Sequence, residues 1–307
     1  FGRKITHSMR NSMILKQGDK IGLVATARWI EQETVDIAMA QISEWGFIPV
    51  VGKHALSKNG QLAGTDKARA SDLQMMLDDN TIKAIFCLRG GYGTIRIIDR
   101  LDFTLFTQFP KWICGFSDIT ILHAHINDKL GLPTLHCSMP YSFPTNTSDA
   151  IAQINAILKS ESITISSEAT SYNKIGEASG ILVGGNLSIL YSLLGTRYGF
   201  STAGKILFIE DLDEYKYHID RMMMSMKLAG KLDHIKGLIV GGMSDMKDNP
   251  VPFGMEIEEI ILEHVAHLNI PVCFNFPAGH IEHNLPIRLG TQAALSVTTS
   301  GGKLSFL

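Results

Sequence analysis

Residues 112–137 read WICGFSDITILHAHINDKLGLPTLHC. Trp112–Phe116 is a short apolar run of β character that leads straight into Ser117. Ile119–Leu130 carries apolar residues at helical spacing and is closed by Gly131. Thr134–Cys137 then reads as a further strand. A strand, a helix and a strand in this order form a βαβ unit, whose two strands lie parallel. Strands written as apolar runs rather than alternations belong to a sheet covered on both faces.

The same grammar extends towards the N-terminus. Ile21–Thr26 (IGLVAT) is an apolar run ending in small residues, Glu31–Trp45 has a helical period that stops at Gly46, and Phe47–Val51 is strand-like. Asp66–Asp79 predicts a helix with Leu73, Met76 and Leu77 on one face, and Ala84–Leu88 a strand that runs into Arg89-Gly90-Gly91-Tyr92-Gly93. Towards the C-terminus, the polar, Pro-containing Tyr141–Ala150 begins a linker. A short helix at Ile151–Leu158 and a polar strand at Ile163–Ser166 follow. Beyond Gly176 the units shorten. Ile206–Ile209 and Gly237–Val240 predict buried strands, Tyr217–Leu228 a Met-rich helix, Met255–Leu268 a helix bearing His264 and His267, and Ala293–Leu307 a hairpin with a Ser-Gly-Gly turn. The fold class expected is α/β, built on parallel sheet.

A chain of 307 residues and 33.7 kDa suggests two domains. The expected division is 14–145, a linker region at 146–175, and 176–307. Lys and Arg number 28 against 30 Asp and Glu, a net charge of −2, which argues against a nucleic-acid binder. With 45% apolar and 19% charged residues the chain buries a core and is not disordered. The four Cys, at 87, 114, 137 and 273, form no CxxC and read as buried free thiols in a reducing compartment. No run reaches the ~18 apolar residues of a membrane span. The start, FGRKITHSMRNSM, is basic without an apolar core, so no signal peptide is expected and the natural start is placed near Met9 or Met13. These features point to the cytoplasm.

Several clusters carry chemistry. In Gly115-Phe116-Ser117-Asp118 a strand ends and a helix begins, which lifts a hydroxyl above the sheet edge, where backbone N–H groups can stabilise an oxyanion. Ile119 stands where a GxSxG elbow has its second Gly, and Ser117 can equally N-cap the helix. The Gly-rich turn at 89–93 lacks the Lys-Ser/Thr of a P-loop but sits at the carboxyl edge of the sheet, where ligands bind. Glu210-Asp211-Leu212-Asp213-Glu214, after the strand KILFI, orients a base, binds a metal or is a solvated acidic turn. His280, placed by Pro277-Ala278-Gly279, is a candidate general base, with His283 as competitor. His123, His125 and His136 read as packing residues, and Met222–Met224 with Met226 as helix core. No zinc signature is present, and neither cofactor nor metal is expected.

These stretches together resemble the LD-carboxypeptidases, serine peptidases also called muramoyltetrapeptide carboxypeptidases, a family that includes the microcin self-immunity peptidases. The resemblance lies in RGGYGTIRIID (89–99), CGFSDITILHAHI (114–126), GILVGGNLSIL (180–190), IEDLDEYKYHIDRMM (209–223), and PAGH (277–280) with LPIRLG (285–290), in the family's order. It implies a flavodoxin- or Rossmann-like parallel N-terminal domain and a smaller α/β C-terminal domain with its own sheet. It also implies a Ser117-His280-Glu210 triad and release of terminal D-Ala from a murein tetrapeptide. The oxyanion hole would use the backbone of Asp118 and Gly91, and Arg89 and Gly90 are candidates for binding the substrate carboxylate. A homodimer is implied, with neither membrane nor nucleic-acid partner. The alternative within the family is hydrolysis of a peptidyl or aminoacyl nucleotide, for which Trp29 and Tyr215 are candidate aromatic platforms. A non-catalytic ligand-binding protein is the reading from outside it. Ala25-Thr26-Ala27-Arg28 replaces the family's Ala-Pro-Ser-like turn and Phe116 its commoner Tyr.

Overall fold

The computed structural model describes residues 13–160 and 163–306. Met9 and Leu307, which figure in the expectations above, lie outside them. The first sheet holds β1 (Lys20–Val24), β2 (Ile48–Val51), β3 (Ile82–Cys87), β4 (Trp112–Gly115) and β5 (Thr134–His136), all parallel. The second holds β6 (Thr164–Ser167), β7 (Gly176–Asn186), β8 (Ile206–Leu212), β9 (Gly237–Ser244) and β10 (Val272–Cys273). The chain then returns to the first sheet, where β11 (Ile287–Leu289) pairs antiparallel with β5. It ends in the second sheet with β12 (Gln292–Thr298) and β13 (Gly301–Phe306). The strand orders are 11-5-4-3-1-2 and 10-9-8-7-12-13-6. The run from β7 to β10 is parallel, while β12, β13 and β6 extend that sheet antiparallel.

Local sequence explains most elements. The helix Asp66–Asp78 is capped by Thr65, whose side chain accepts from the Ala68 N–H, and it buries Leu73, Met76 and Leu77 as its spacing requires. Lys111 is buried with its ammonium on the carbonyls of Met76, Leu77 and Asp79, closing that helix from beyond its end. Desolvation there lowers the Lys111 pKa to about 8. The segment expected as one helix over 119–130 is divided. A 3-10 turn at Ser117–Ile119 leads into an α-helix at Thr120–His125 and a π turn at Ile126–Leu130, closed by left-handed Gly131. Residues 146–175 contain the helix Ser148–Leu158, whose Ile151, Ile154 and Ile157 join the first sheet's core, and β6 of the second sheet.

Three expectations are corrected. The helix expected over Met255–Leu268 spans Ile257–Val265, leaving His267 beyond it. The hairpin turn is Thr299-Ser300, and Gly301 and Gly302 belong to β13, where they pair with Thr298 and Val297; a Cβ there would lie 2.1 Å from the Ser167 carbonyl oxygen or 2.3 Å from Cys273 Sγ, which is why both are glycine. Beyond Gly176 comes not a short unit but an eleven-residue strand, β7.

One apolar cluster runs through both sheets. Ile121 and Leu122 of the helix after Ser117 pack in it with Leu187 and Leu190, which follow β7, and with Leu207 and Ile209 of β8. The Asn186 N–H donates to Thr120 Oγ1 at 3.0 Å, fastening the end of β7 to that helix. Burial of these side chains contributes roughly 1.5–3 kcal/mol each, so the helix that begins beside Ser117 is held against the second sheet. All four Cys are buried and unpaired.

Candidate active site

β4 ends at Gly115 and Phe116 stays extended, but Ser117 turns to φ +60. A non-glycine residue in the left-handed region costs roughly 1–3 kcal/mol and persists where surrounding structure enforces it. The enforcement is visible. Phe116 and Asp118 on either side are buried, while Ser117 is half-buried. The Asp118 carboxylate accepts the Thr94 N–H at 2.8 Å, and burial raises its pKa despite that bond. Ser117 is not a helix cap: the helix Thr120–His125 has Ile119 at its cap position and no side-chain capping bond. The backbone of the Gly-rich turn passes beside the hydroxyl, for a Cβ added to Gly90 would stand 3.5 Å from Ser117 Oγ. Among the described residues, the Asp118 and Gly91 N–H groups have no backbone or side-chain acceptor.

The carboxylate and imidazole come from elsewhere in the chain. Glu210 lies inside β8, fully buried, rather than on a solvated turn; Asp211 is buried with it, Glu214 is half-buried, and of the four carboxylates only Asp213 is exposed. His280 Nδ1 meets Glu210 Oε2 at 2.6 Å, with the imidazole side chain 15% exposed. An Nδ1–H held by a carboxylate leaves Nε2 as the acceptor nitrogen of the neutral ring. Burial alone would raise the Glu210 pKa, but the charge and hydrogen bond of His280, with His136 adding to them, bring it down to about 2. Burial lowers His280 and the Glu210 charge more than offsets it, so the His280 pKa stands above its ordinary value. The His280 ring lies 4.7 Å, centroid to centroid, from the Phe116 ring, which places the imidazole at the residue preceding Ser117. Among the described residues no hydrogen bond joins Ser117 Oγ to the ring; such bonds are often long before substrate binds.

The loop carrying His280 is tied down on both sides. The Gly279 N–H donates to Asn284 Oδ1 at 2.8 Å, Asn284 Nδ2 donates to Ser138 Oγ at 3.2 Å, and Ser244 Oγ donates to the His280 carbonyl at 2.6 Å. Gly279 has φ +112, and a Cβ there would stand 2.8 Å from Glu210 Cβ. Gly279→Ala is therefore expected to displace Glu210, cutting kcat by more than ~10-fold and lowering stability by roughly 1–3 kcal/mol. Thermal melting and steady-state kinetics on the one variant check both.

The other candidates fall into place around this core. His283 is turned to Thr147 Oγ1 at 2.8 Å, with its side chain 45% exposed, and does not compete for Glu210. His123 is buried with Nε2 on the Gly115 carbonyl at 2.8 Å, and burial lowers its pKa to about 3. His125 packs its ring on Phe103 at 4.9 Å. His136 is fully buried and packs edge-on against Phe116 and Phe208, and its Nε2 also lies 4.0 Å from Glu210 Oε1. Asp211 accepts from Asn186 Nδ2 and the Ser188 N–H; burial and the neighbouring Glu210 charge push its pKa to about 7. Arg89 donates to the Trp29 carbonyl at 3.0 Å and lies 4.0 Å over the Tyr141 ring, half-exposed beside Gly90. Trp29 lies under the Lys58 ammonium at 4.0 Å, and exposed Tyr215 packs on Tyr217 at 5.6 Å. Met222, Met223 and Met226 are core, and Met224 is exposed. Among the described residues no group of three or more His, Cys, Asp or Glu could hold a metal ion.

A strained serine at a strand end, with a buried glutamate of the second sheet and the imidazole it holds beside it, is the equipment of a nucleophilic hydrolase. The chain belongs to the LD-carboxypeptidase family: residues 21–137 match its N-terminal domain and 179–295 its C-terminal domain. A probable murein peptide carboxypeptidase of Bacillus subtilis is 34% identical over 92% of this chain and 90% of its own. A murein tetrapeptide carboxypeptidase of Pseudomonas aeruginosa is 28% identical over 90% of this chain and 92% of its own. In fold, a muramoyltetrapeptide carboxypeptidase from Oxalobacter formigenes superposes with a TM-score of 0.86 over 94% of this chain and 98% of that one, at 23% identity. No helix among the described residues is long and apolar enough to cross a membrane.

Proposed function

We propose that the protein is a serine LD-carboxypeptidase that hydrolyses the L,D-peptide bond of a murein tetrapeptide and releases its terminal D-Ala. The observation that carries the reading is the 2.6 Å bond between His280 Nδ1 and fully buried Glu210, beside a serine held in the left-handed region. The names of the relatives support the substrate. Ser117 Oγ attacks the scissile carbonyl and its proton passes to His280 Nε2. The oxyanion is met by the Asp118 and Gly91 N–H groups, and His280 gives the proton to the departing D-Ala amine. Water, deprotonated by the same nitrogen, then attacks the acyl carbonyl, and His280 returns that proton to Ser117 Oγ as the acyl group leaves. Glu210 fixes the tautomer and stabilises the imidazolium. Arg89 and Gly90, at the edge of the same turn, are assigned to the substrate's free carboxylate.

On this reading the domain of residues 14–145 supplies the nucleophile and that of 176–307 the base and its orienter. The cytoplasmic setting and the homodimer belong to the same proposal, and the four buried thiols fit a reducing compartment.

The test is turnover of a murein tetrapeptide beside an aminoacyl sulfamoyl adenosine, with D-Ala measured directly. Release of D-Ala without nucleotide hydrolysis is expected. Hydrolysis of the nucleotide alone would move the protein to the alternative activity, and binding without turnover of either would remove it from the enzymes. The pH profile adds a second check. Only neutral His280 can accept the Ser117 proton, and its pKa stands above 6.5. kcat/KM is thus expected to rise with pH through a midpoint above 6.5. A midpoint below that value would contradict the pairing with Glu210.

A further inference from the structure

Both ring nitrogens of His136 and Glu210 Oε1 are buried without a hydrogen-bond partner. They are neighbours: His136 Nε2 lies 4.0 Å from Glu210 Oε1, and both side chains are 0% exposed. An unmet buried donor or acceptor costs roughly 1–3 kcal/mol, and more when it is charged. Adjacent orphans of complementary type are relieved together by an approach of about 1 Å, the difference between this contact and an ordinary hydrogen bond.

The surroundings fix how the ring presents itself. His136 pairs across the sheet with Gly115, two residues before Ser117, and on its other side with Ile287 of β11. Phe208, two residues before Glu210 on β8, stands at 5.0 Å and 82° to the ring, and Phe116 at 5.8 Å and 68°. These edge-on contacts hold an imidazole in a plane without supplying a hydrogen bond. The titratable groups around it are Glu210 from β8, His280 through that carboxylate, and His123 at 6.2 Å, kept neutral by its burial. Glu210 uses one oxygen on His280. The other faces His136.

We propose that His136 is a second positioning histidine of the site, its Nε2–H donating to Glu210 Oε1 and fixing the carboxylate plane against His280. The inference rests on the triad reading and deepens it. His136 comes from the first sheet and Glu210 from the second, so this contact registers the two sheets at the reacting end. His136 touches no substrate atom; it acts through Glu210.

His136→Gln keeps an N–H donor near the Nε2 position, and His136→Phe keeps a ring without one. With Phe, kcat is expected to fall about tenfold, the scale of one hydrogen bond to a charged group, with KM within about twofold. The acidic midpoint of kcat/KM should move up, because a carboxylate lacking that donor draws the imidazolium more strongly. Gln should restore most of kcat and the wild-type midpoint. Equal losses in Gln and Phe with an unmoved midpoint would overturn the proposal, since a packing role predicts them. Nitrogen-15 NMR of the wild-type histidines tests it without a variant: a proton on His136 Nε2 is expected, and a bare Nε2 would overturn it. Ser117→Ala assayed alongside separates the failures. Full activity in that variant defeats the triad itself, whereas its inactivity beside matched Gln and Phe variants defeats only the role of His136.

Discussion

Ser117→Ala is expected to lower D-Ala release by at least ~10⁴-fold, because in a nucleophile–base–orienter set the loss of the nucleophile removes the covalent route altogether. Residual turnover would come only from the oxyanion donors acting on water. The fold should not change, since Ala at φ +60 bears the same strain as Ser. Ser117→Gly separates the chemical and conformational contributions. It relieves the left-handed conformation and should be more stable than Ser117→Ala by roughly 1 kcal/mol while equally inactive. Comparable D-Ala release by wild type and Ser117→Ala would end the nucleophile assignment. A Gly variant no more stable than the Ala variant would remove the strain argument.

Glu210→Gln is expected to cost ~10³–10⁴-fold in kcat, since the amide keeps the shape but neither fixes the tautomer nor stabilises the imidazolium. It should also lower the acidic midpoint of kcat/KM, as the charge that raises His280 is gone. The stability effect has a definite window. Glu210, at about 2 when folded against 4.5 ordinarily, adds stability that is present above pH 4.5 and lost as pH falls towards 2. His280, raised above 6.5, adds stability that is present below pH 6.5 and lost as pH rises through its folded value. Both describe one ion pair, so the destabilisation by Gln should be greatest between pH 4.5 and 6.5. Denaturant midpoints of the two proteins across pH read this directly. A difference that is flat with pH would show that the pair is not ionised as described.

The local parts of the architecture were legible because they are written in periods. The apolar runs before Ser117 and Glu210, and the Leu73, Met76 and Leu77 face of its helix, each state a burial pattern within a few residues. What was not legible depends on partners far away in the chain. β11 is three residues long, too short for any period, and exists because Ile287 finds His136. The outer half of β7 alternates exposed and half-buried residues and pairs with a hairpin more than a hundred residues later. At the site, the residues alone left Ser117 open between nucleophile and helix cap, Glu210 open between an orienter, a metal ligand and a solvated acidic turn, and His280 in competition with His283; the family resemblance was what singled out the three. His136 packs as a core residue should, and the sign that supports the proposed positioning role is a spatial one, a neighbouring carboxylate oxygen without a partner.

The proposed base rides on a segment stretched between the two sheets. It leaves the second sheet at Cys273, presents His280, and is stitched into the first at Ile287. If the proposed triad holds, this arrangement governs when hydrolytic power arises during synthesis. A growing chain that has made the serine and even the glutamate still lacks a secured imidazole, and β5 lacks its edge partner until Leu289 is in place. Because contacts so distant in sequence form late, the lytic step is withheld from the nascent and half-folded protein. On the proposed triad, the molecule becomes a hydrolase only as its two halves are sewn together.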